Sequence, residues 1–181
     1  MPATRPRVLS VPPVHDNTNP YMTTWYQTAA VDVVLQVEHD SLGRTVFNPV
    51  WLYRHRDEFD VYHIQWEIRL ARFPLLLASL LLCRHLKKRI LWTAHEPLPH
   101  QQDFLLRSWL SGFALARLAD VVIAHNDFTA GEVQRLFLSR RKIEVIEHPD
   151  YLVHPLPQAQ AKGSLQEKRF IFLSFGYFNM V

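Results

Sequence analysis

Short apolar runs alternate with segments of helical length along most of this chain, and that alternation restricts the fold more than any other feature. Runs rich in Val, Ile and Leu fall at residues 7–11, 31–37, 61–65, 89–93, 120–124 and 142–146. Several are continuous rather than alternating polar and apolar, which is how a parallel strand covered on both faces reads. Helix-length segments lie between them at 20–30, 49–57, 74–88, 101–118 and 129–138. Pro20, Pro49 and Pro74 stand where a helix can begin, because the first helical residue has no use for its N–H. Thr129-Ala-Gly-Glu132 has the capping-box pattern, with Val133, Leu136 and Phe137 following at helical spacing. Arg84, His85, Lys87, Lys88 and Arg89 suit the negative end of the dipole of helix 74–88. Strands that alternate with helices pair in parallel through right-handed crossovers. The expected fold class is therefore α/β: a Rossmann-like, doubly wound parallel sheet of about six strands.

The texture changes after Ile146. Residues 148–168 hold three prolines, a glycine and many polar groups, and read as an interdomain linker. Residues 170–175, Phe-Ile-Phe-Leu-Ser-Phe, then give a new buried-strand signal. One strand cannot bury itself. The expected organisation is a Rossmann-like domain over 1–147, a linker over 148–168, and over 169–181 the first strand of a truncated second domain.

Composition narrows the partners. With 20 basic and 17 acidic residues the net charge is +3, and no basic stripe of the kind that grips nucleic acid stands out. No nucleic-acid partner is expected. The single cysteine, Cys83, lies in an apolar run and reads as a small buried hydrophobe. Residues 1–7 carry no signal-peptide apolar stretch, and the longest greasy run, 73–83, is far short of the ~20 residues of a membrane span. These features suggest a soluble, cytoplasmic chain. The basic cluster after the apolar helix adds a weaker expectation of peripheral contact with the inner face of the membrane.

In an open α/β sheet, ligands bind beyond the carboxyl ends of the strands. There the first strand feeds Pro12 to Tyr21, the third His63 to Trp66, the fourth Thr93 to His100 and the fifth His125 to Asp127. Each of these four loops offers a histidine, so this rim reads as a polar cleft, with His95 pointing into it. None of the five glycines follows the first strand, so the dinucleotide fingerprint and the P-loop are both missing. His95, Glu96, His100 and Asp103 lack H-E-x-x-H spacing, and Pro97 and Pro99 forbid the helix that would align them; no metal is expected from this pattern. No Ser sits in a G-x-S-x-G turn. His63 and His125 read as structural.

Three stretches together resemble the N-terminal domain of family 4 glycosyltransferases: Asp60-Val-Tyr-His-Ile-Gln-Trp66, Ile90-Leu-Trp-Thr-Ala-His-Glu-Pro-Leu-Pro-His100 and Ala119-Asp-Val-Val-Ile-Ala-His125. Val145-Ile-Glu-His-Pro-Asp-Tyr151 and Phe172-Leu-Ser-Phe-Gly176 resemble later strands of the same family. The resemblance implies the N-terminal half of a GT-B fold, whose C-terminal half binds the nucleotide-sugar. It implies transfer of a hexose from that donor to a glycan or lipid-linked acceptor, as in polysaccharide biosynthesis, with no other cofactor. His95 matches the family histidine that reaches toward the donor sugar, which makes it the catalytic candidate. Asn19 and Tyr21 match the first-strand loop; Trp66, Glu96 and His100 complete the substrate-binding candidates. The glycines many members carry in the first loop are missing here. The family's donor motif would lie beyond Val181, so the chain alone is expected to transfer no sugar. The alternative reading is a non-catalytic, truncated α/β module that binds a glycan or a protein partner.

Overall fold

The computed structural model describes residues 5–11, 20–27, 31–34, 46–65, 73–95, 105–139 and 141–148. Strands β1 (Arg7–Val11), β2 (Asp32–Val34), β3 (Val61–Ile64), β4 (Arg89–Ala94), β5 (Val121–Ala124) and β6 (Ile143–Val145) alternate with helices α1 (Pro20–Gln27), α2 (Pro49–Arg54), α3 (Phe73–His85), α4 (Leu105–Leu118) and α5 (Asp127–Phe137). All six strands pair in parallel, in the order β2-β1-β3-β4-β5-β6. The chain steps outward from β1 to β2, then returns across β1 to β3 and continues the other way. Such a reversal is a topological switch point, and a crevice forms there at the carboxyl ends of the strands. The α/β class and the six-stranded parallel sheet agree with the sequence. The expected linker at 148–168 and second-domain strand at 169–181 lie, apart from His148, outside the described residues.

Alternation along the strands sorts side chains onto two faces. Leu9, Val11, Tyr62, Ile64, Ile90, Trp92, Ala94 and Val122 point to one face. There they form a single core with Leu52 of α2, Leu76, Leu80 and Cys83 of α3, Leu115 and Ala116 of α4, and Val133 and Phe137 of α5. Each fully buried aliphatic or aromatic side chain contributes about 1.5–3 kcal/mol, so this face supplies most of the fold's driving force. Two of its polar groups are satisfied locally: the Tyr62 hydroxyl donates to Val46 O at 2.7 Å and Ser79 Oγ to Phe47 O at 2.9 Å. Cys83 is fully buried, as its apolar surroundings foretold, and burial pushes its thiol up to about 12. The other face is covered by α1 alone among the described helices, through Tyr21, Met22, Trp25 and Tyr26.

Local chemistry corrects two of the expected boundaries. Helix α5 begins at Asp127, and its N-cap is Asn126, whose side chain accepts from Thr129 N at 2.7 Å. Thr129 is thus a donor within the first turn rather than the cap, and Glu132 pairs with Arg135 instead of reaching back. Helix α3 stops at His85, and Lys87 turns the chain with a left-handed φ of 57°. Lys88 and Arg89 are therefore not helical. Lys88 Nζ donates to Phe59 O at 2.7 Å, and Arg84 and Arg89 each approach Asp120 at 4.0 Å. α2 follows its expected start, with Asn48 as N-cap and Pro49 in the first turn. No helix among the described residues is long and apolar enough to cross a membrane.

Candidate functional site

The face under α1 is built from the residues that alternate with the core. Ser10 of β1, His63 of β3, Gln65 just after it and Thr93 of β4 are all buried there. Burying polar groups is tolerated only when they find partners. Here a chain of hydrogen bonds crosses the strands. His63 Nε2 meets Thr93 Oγ1 at 2.8 Å, and His63 Nδ1 meets the Tyr26 hydroxyl of α1. Burial holds the His63 imidazole down to about 3 and pushes the Tyr26 phenol up to about 12, so both are neutral at physiological pH.

Further toward the carboxyl ends the face becomes a cluster of imidazoles. Register sets its geometry: Ala94 lies opposite Ala124, so the next residues, His95 and His125, are cross-strand neighbours. Their ring centroids are 4.8 Å apart. His148, just past β6, joins with its centroid 4.9 Å from His125. The fully buried Tyr21 ring sits edge-on to His95 at 4.8 Å, and its hydroxyl reaches His125 Nε2 at 2.9 Å. His125 Nδ1 donates to Ile146 O at 2.8 Å. His95 Nε2 meets Gln65 Oε1 at 3.2 Å, and Gln65 N in turn donates to Val11 O at 2.9 Å. The cluster is thereby tied to β1 and β3, the two strands that flank the switch point.

Burial favours the uncharged form of two of these rings, His95 and His125. Burial, then the neighbouring His125, His148 and His63, holds His95 down to about 3. His125 is also lowered, chiefly by burial, against the opposing effect of its bond to Ile146. Neutral imidazoles can donate and accept hydrogen bonds at once and can ligate metals. Such groups suit hydroxyl-rich ligands better than anionic ones.

Of the sequence candidates, the structure brings together His95 and Tyr21. Asn19, Trp66, Glu96 and His100 lie outside the described residues. His63 and His125 both read as structural from sequence; His63 is buried within the domain. His125 and His148 were not among the candidate site residues, yet both stand against His95. The signal for His125 was available, since it follows β5 as His95 follows β4. Away from this cluster, a largely apolar cavity of about 450 Å³ opens near the amino ends of the strands, lined by Val8, Val61, Leu91, Val121 and Trp25. It lies at the opposite end of the strands from His95, His125 and His148, with His63 and Tyr26 in its lining.

A doubly wound parallel sheet, reversing beside β1 and carrying a polar cluster at its carboxyl edge, is the architecture of the Rossmann-like N-terminal half of a GT-B fold. The family model described as Glycosyltransferase Family 4 matches residues 12–149, and the chain belongs to that family. No curated protein matches it.

Proposed function

We propose that the imidazole-rich edge of this domain is the acceptor side of a transferase that moves a hexose from a nucleotide-sugar to a glycan or lipid-linked acceptor. The observation that supports it best is the convergence of His95, Tyr21, His125 and Gln65 at the carboxyl edge of the sheet, in a chain of glycosyltransferase family 4. His95 is the residue placed to act on the reacting centre: uncharged, it donates to or accepts from a sugar hydroxyl without attracting a counter-ion. Tyr21 and Gln65 fix its environment, while Asn19, Trp66, Glu96 and His100 are proposed to complete the sugar contacts. The rate gain in such a site comes from positioning and from stabilising charge on the departing diphosphate. The diphosphate has no glycine-rich turn after β1 to cradle it, which is why the donor is assigned to residues beyond this sheet.

The test is binding of a panel of glycan and lipid-linked acceptors, and of nucleotide-sugars, to the chain and to His95→Ala. Acceptor binding weakened at least about tenfold in the variant is expected, an amount typical of one lost polar contact at a well-packed site. Acceptor affinity indifferent to His95, or tight nucleotide binding to this chain, refutes the assignment. Peripheral membrane contact is assigned no special site. Arg84, Lys88 and Arg89 already engage Leu118 O, Phe59 O and Asp120. Neutralising them is expected to leave liposome co-sedimentation unchanged.

A further inference from the structure

We infer that His95, His125 and His148 form a binding site for a divalent transition-metal ion of the zinc class. One ring nitrogen from each of the three lies within 4.8 Å of the other two. The histidines come from the ends of β4 and β5 and from the segment following β6, three consecutive strands of the sheet, so the fold itself brings them together. They share no sequence spacing that would announce a metal motif. The set differs from the His95, Glu96, His100 and Asp103 pattern that the sequence rules out.

Hydrogen bonding sets two of the three rings as ligands. The Ile146 carbonyl can only accept, so the proton of neutral His125 sits on Nδ1 and the lone pair on Nε2, which meets the Tyr21 hydroxyl. The Gln65 amide oxygen likewise only accepts, which places the His95 proton on Nε2 and its lone pair on Nδ1. Metal-ligating histidines are oriented in this way, with the distal N–H held by a carbonyl.

A tetrahedral ion with bonds of 2.0–2.1 Å needs nitrogens roughly 3.4 Å apart, so the separations, now within 4.8 Å, must shorten by up to about 1.4 Å. His148 is exposed and follows the last strand, which gives it room to swing inward. Closure takes His125 Nε2 from the Tyr21 hydroxyl, now 2.9 Å away, and leaves that oxygen beside the fourth position. Among the described residues the cluster contains three imidazoles and neither a carboxylate nor a thiolate. Such a donor set selects zinc, cobalt, nickel or copper over magnesium or calcium.

The inference stands apart from the transferase reading, because metal binding is measured whether or not any sugar is transferred. The experiment is a cobalt(II) titration of the full chain, followed by visible absorption, with zinc(II) added afterwards to displace the cobalt. The expected result is an intense tetrahedral-type band that saturates at one ion per chain and is lost on adding zinc. His148→Ala, at an exposed position, should keep the far-UV circular dichroism of the parent and weaken cobalt binding at least about tenfold; His95→Asn should do the same. His85→Ala, on the exposed end of α3, should bind as the parent does. Absence of a saturable band, or binding within twofold of the parent in His148→Ala, overturns the inference.

Discussion

Trp92 and Thr93 are neighbours in β4 and point to opposite faces of one sheet. Trp92 enters a continuous apolar core beneath α2, α3, α4 and α5, whereas Thr93 enters a hydrogen-bonded row that includes His63 and is capped, among the described helices, by α1. The same strands thus carry two different kinds of chemistry, one residue out of phase. On the apolar face packing is non-directional, and any well-fitting side chain stabilises the fold. On the polar face each buried group needs its own partner, so the arrangement is specific rather than strongly stabilising. That division lets the domain keep the neutral imidazoles of His63 and His95 on one face while the other face supplies most of the apolar burial.

Breaking the apolar side should cost most. Trp92 is fully buried and packs on Phe137 with ring centroids 5.9 Å apart. Trp92→Ala is expected to lower stability by about 3–5 kcal/mol in urea unfolding. The indole N–H has no hydrogen-bond partner among the described residues, so Trp92→Phe should cost much less. Overpacking the same face is also unfavourable. A Cβ at Gly112 would stand 2.4 Å from Phe137 Cζ, and Gly112→Ala should cost about 1–3 kcal/mol. If neither substitution shifted the urea midpoint, the claim that this face carries the stability would be wrong.

Thr93→Val tests the polar face with almost no change of shape. It strips His63 Nε2 of its 2.8 Å partner in a fully buried place. The expected loss is about 1–3 kcal/mol, with the secondary structure intact. A neutral or stabilising result would mean that the row is packing rather than a bonded network.

Acid probes the same face as a whole. His63 and His95 are both held down to about 3 in the folded protein, from an ordinary value of 6.5. Between those limits the unfolded chain binds more protons than the folded one, so stability is complete above about pH 6.5 and falls as the pH drops toward 3. The expected slope is on the order of 1 kcal/mol per pH unit for each histidine within that window. Asp60, held down from 3.8 to about 2 by its hydrogen bonds with Arg7, loses its own contribution as the pH falls below about 4, so the histidines are read between pH 6.5 and about 5. Replacing His63 with Gln should flatten the slope without abolishing it, since His95 and His125 are lowered as well. An unchanged slope would show that His63 titrates normally.

Much of the sheet was legible because strand-length apolar runs and prolines at helix starts are local signals. The site was legible only in part. His95 could be singled out from its place after an apolar strand, but its proximity to His125 and His148 depends on strand order and register, which no single run of residues encodes. Boundaries failed where two local signals competed. Asn126 and Thr129 both qualify as caps, and the earlier Asx residue prevails because its carbonyl-like oxygen reaches Thr129 N. At the end of α3 the basic residues suited a helix terminus, yet the left-handed turn at Lys87 redirects Lys88 and Arg89 toward β4.

The smallest expected effect lies farthest from both faces, on the outer side of α5. Gly131 is exposed in the middle of that helix, and a Cβ built on it meets nothing within 4 Å. Glycine there gives the unfolded chain extra freedom that folding must remove, and no close approach or positive φ requires it. Gly131→Ala should therefore raise stability by about 0.5–1 kcal/mol, the reverse in sign of Gly112→Ala on the neighbouring helix α4. The two glycines separate backbone entropy, which both substitutions improve, from packing, which only one of them violates. A matched pair of urea titrations reads the difference directly. Equal signs for the two variants would mean that Phe137 yields to the new methyl group, and that the apolar face is looser than its full burial implies.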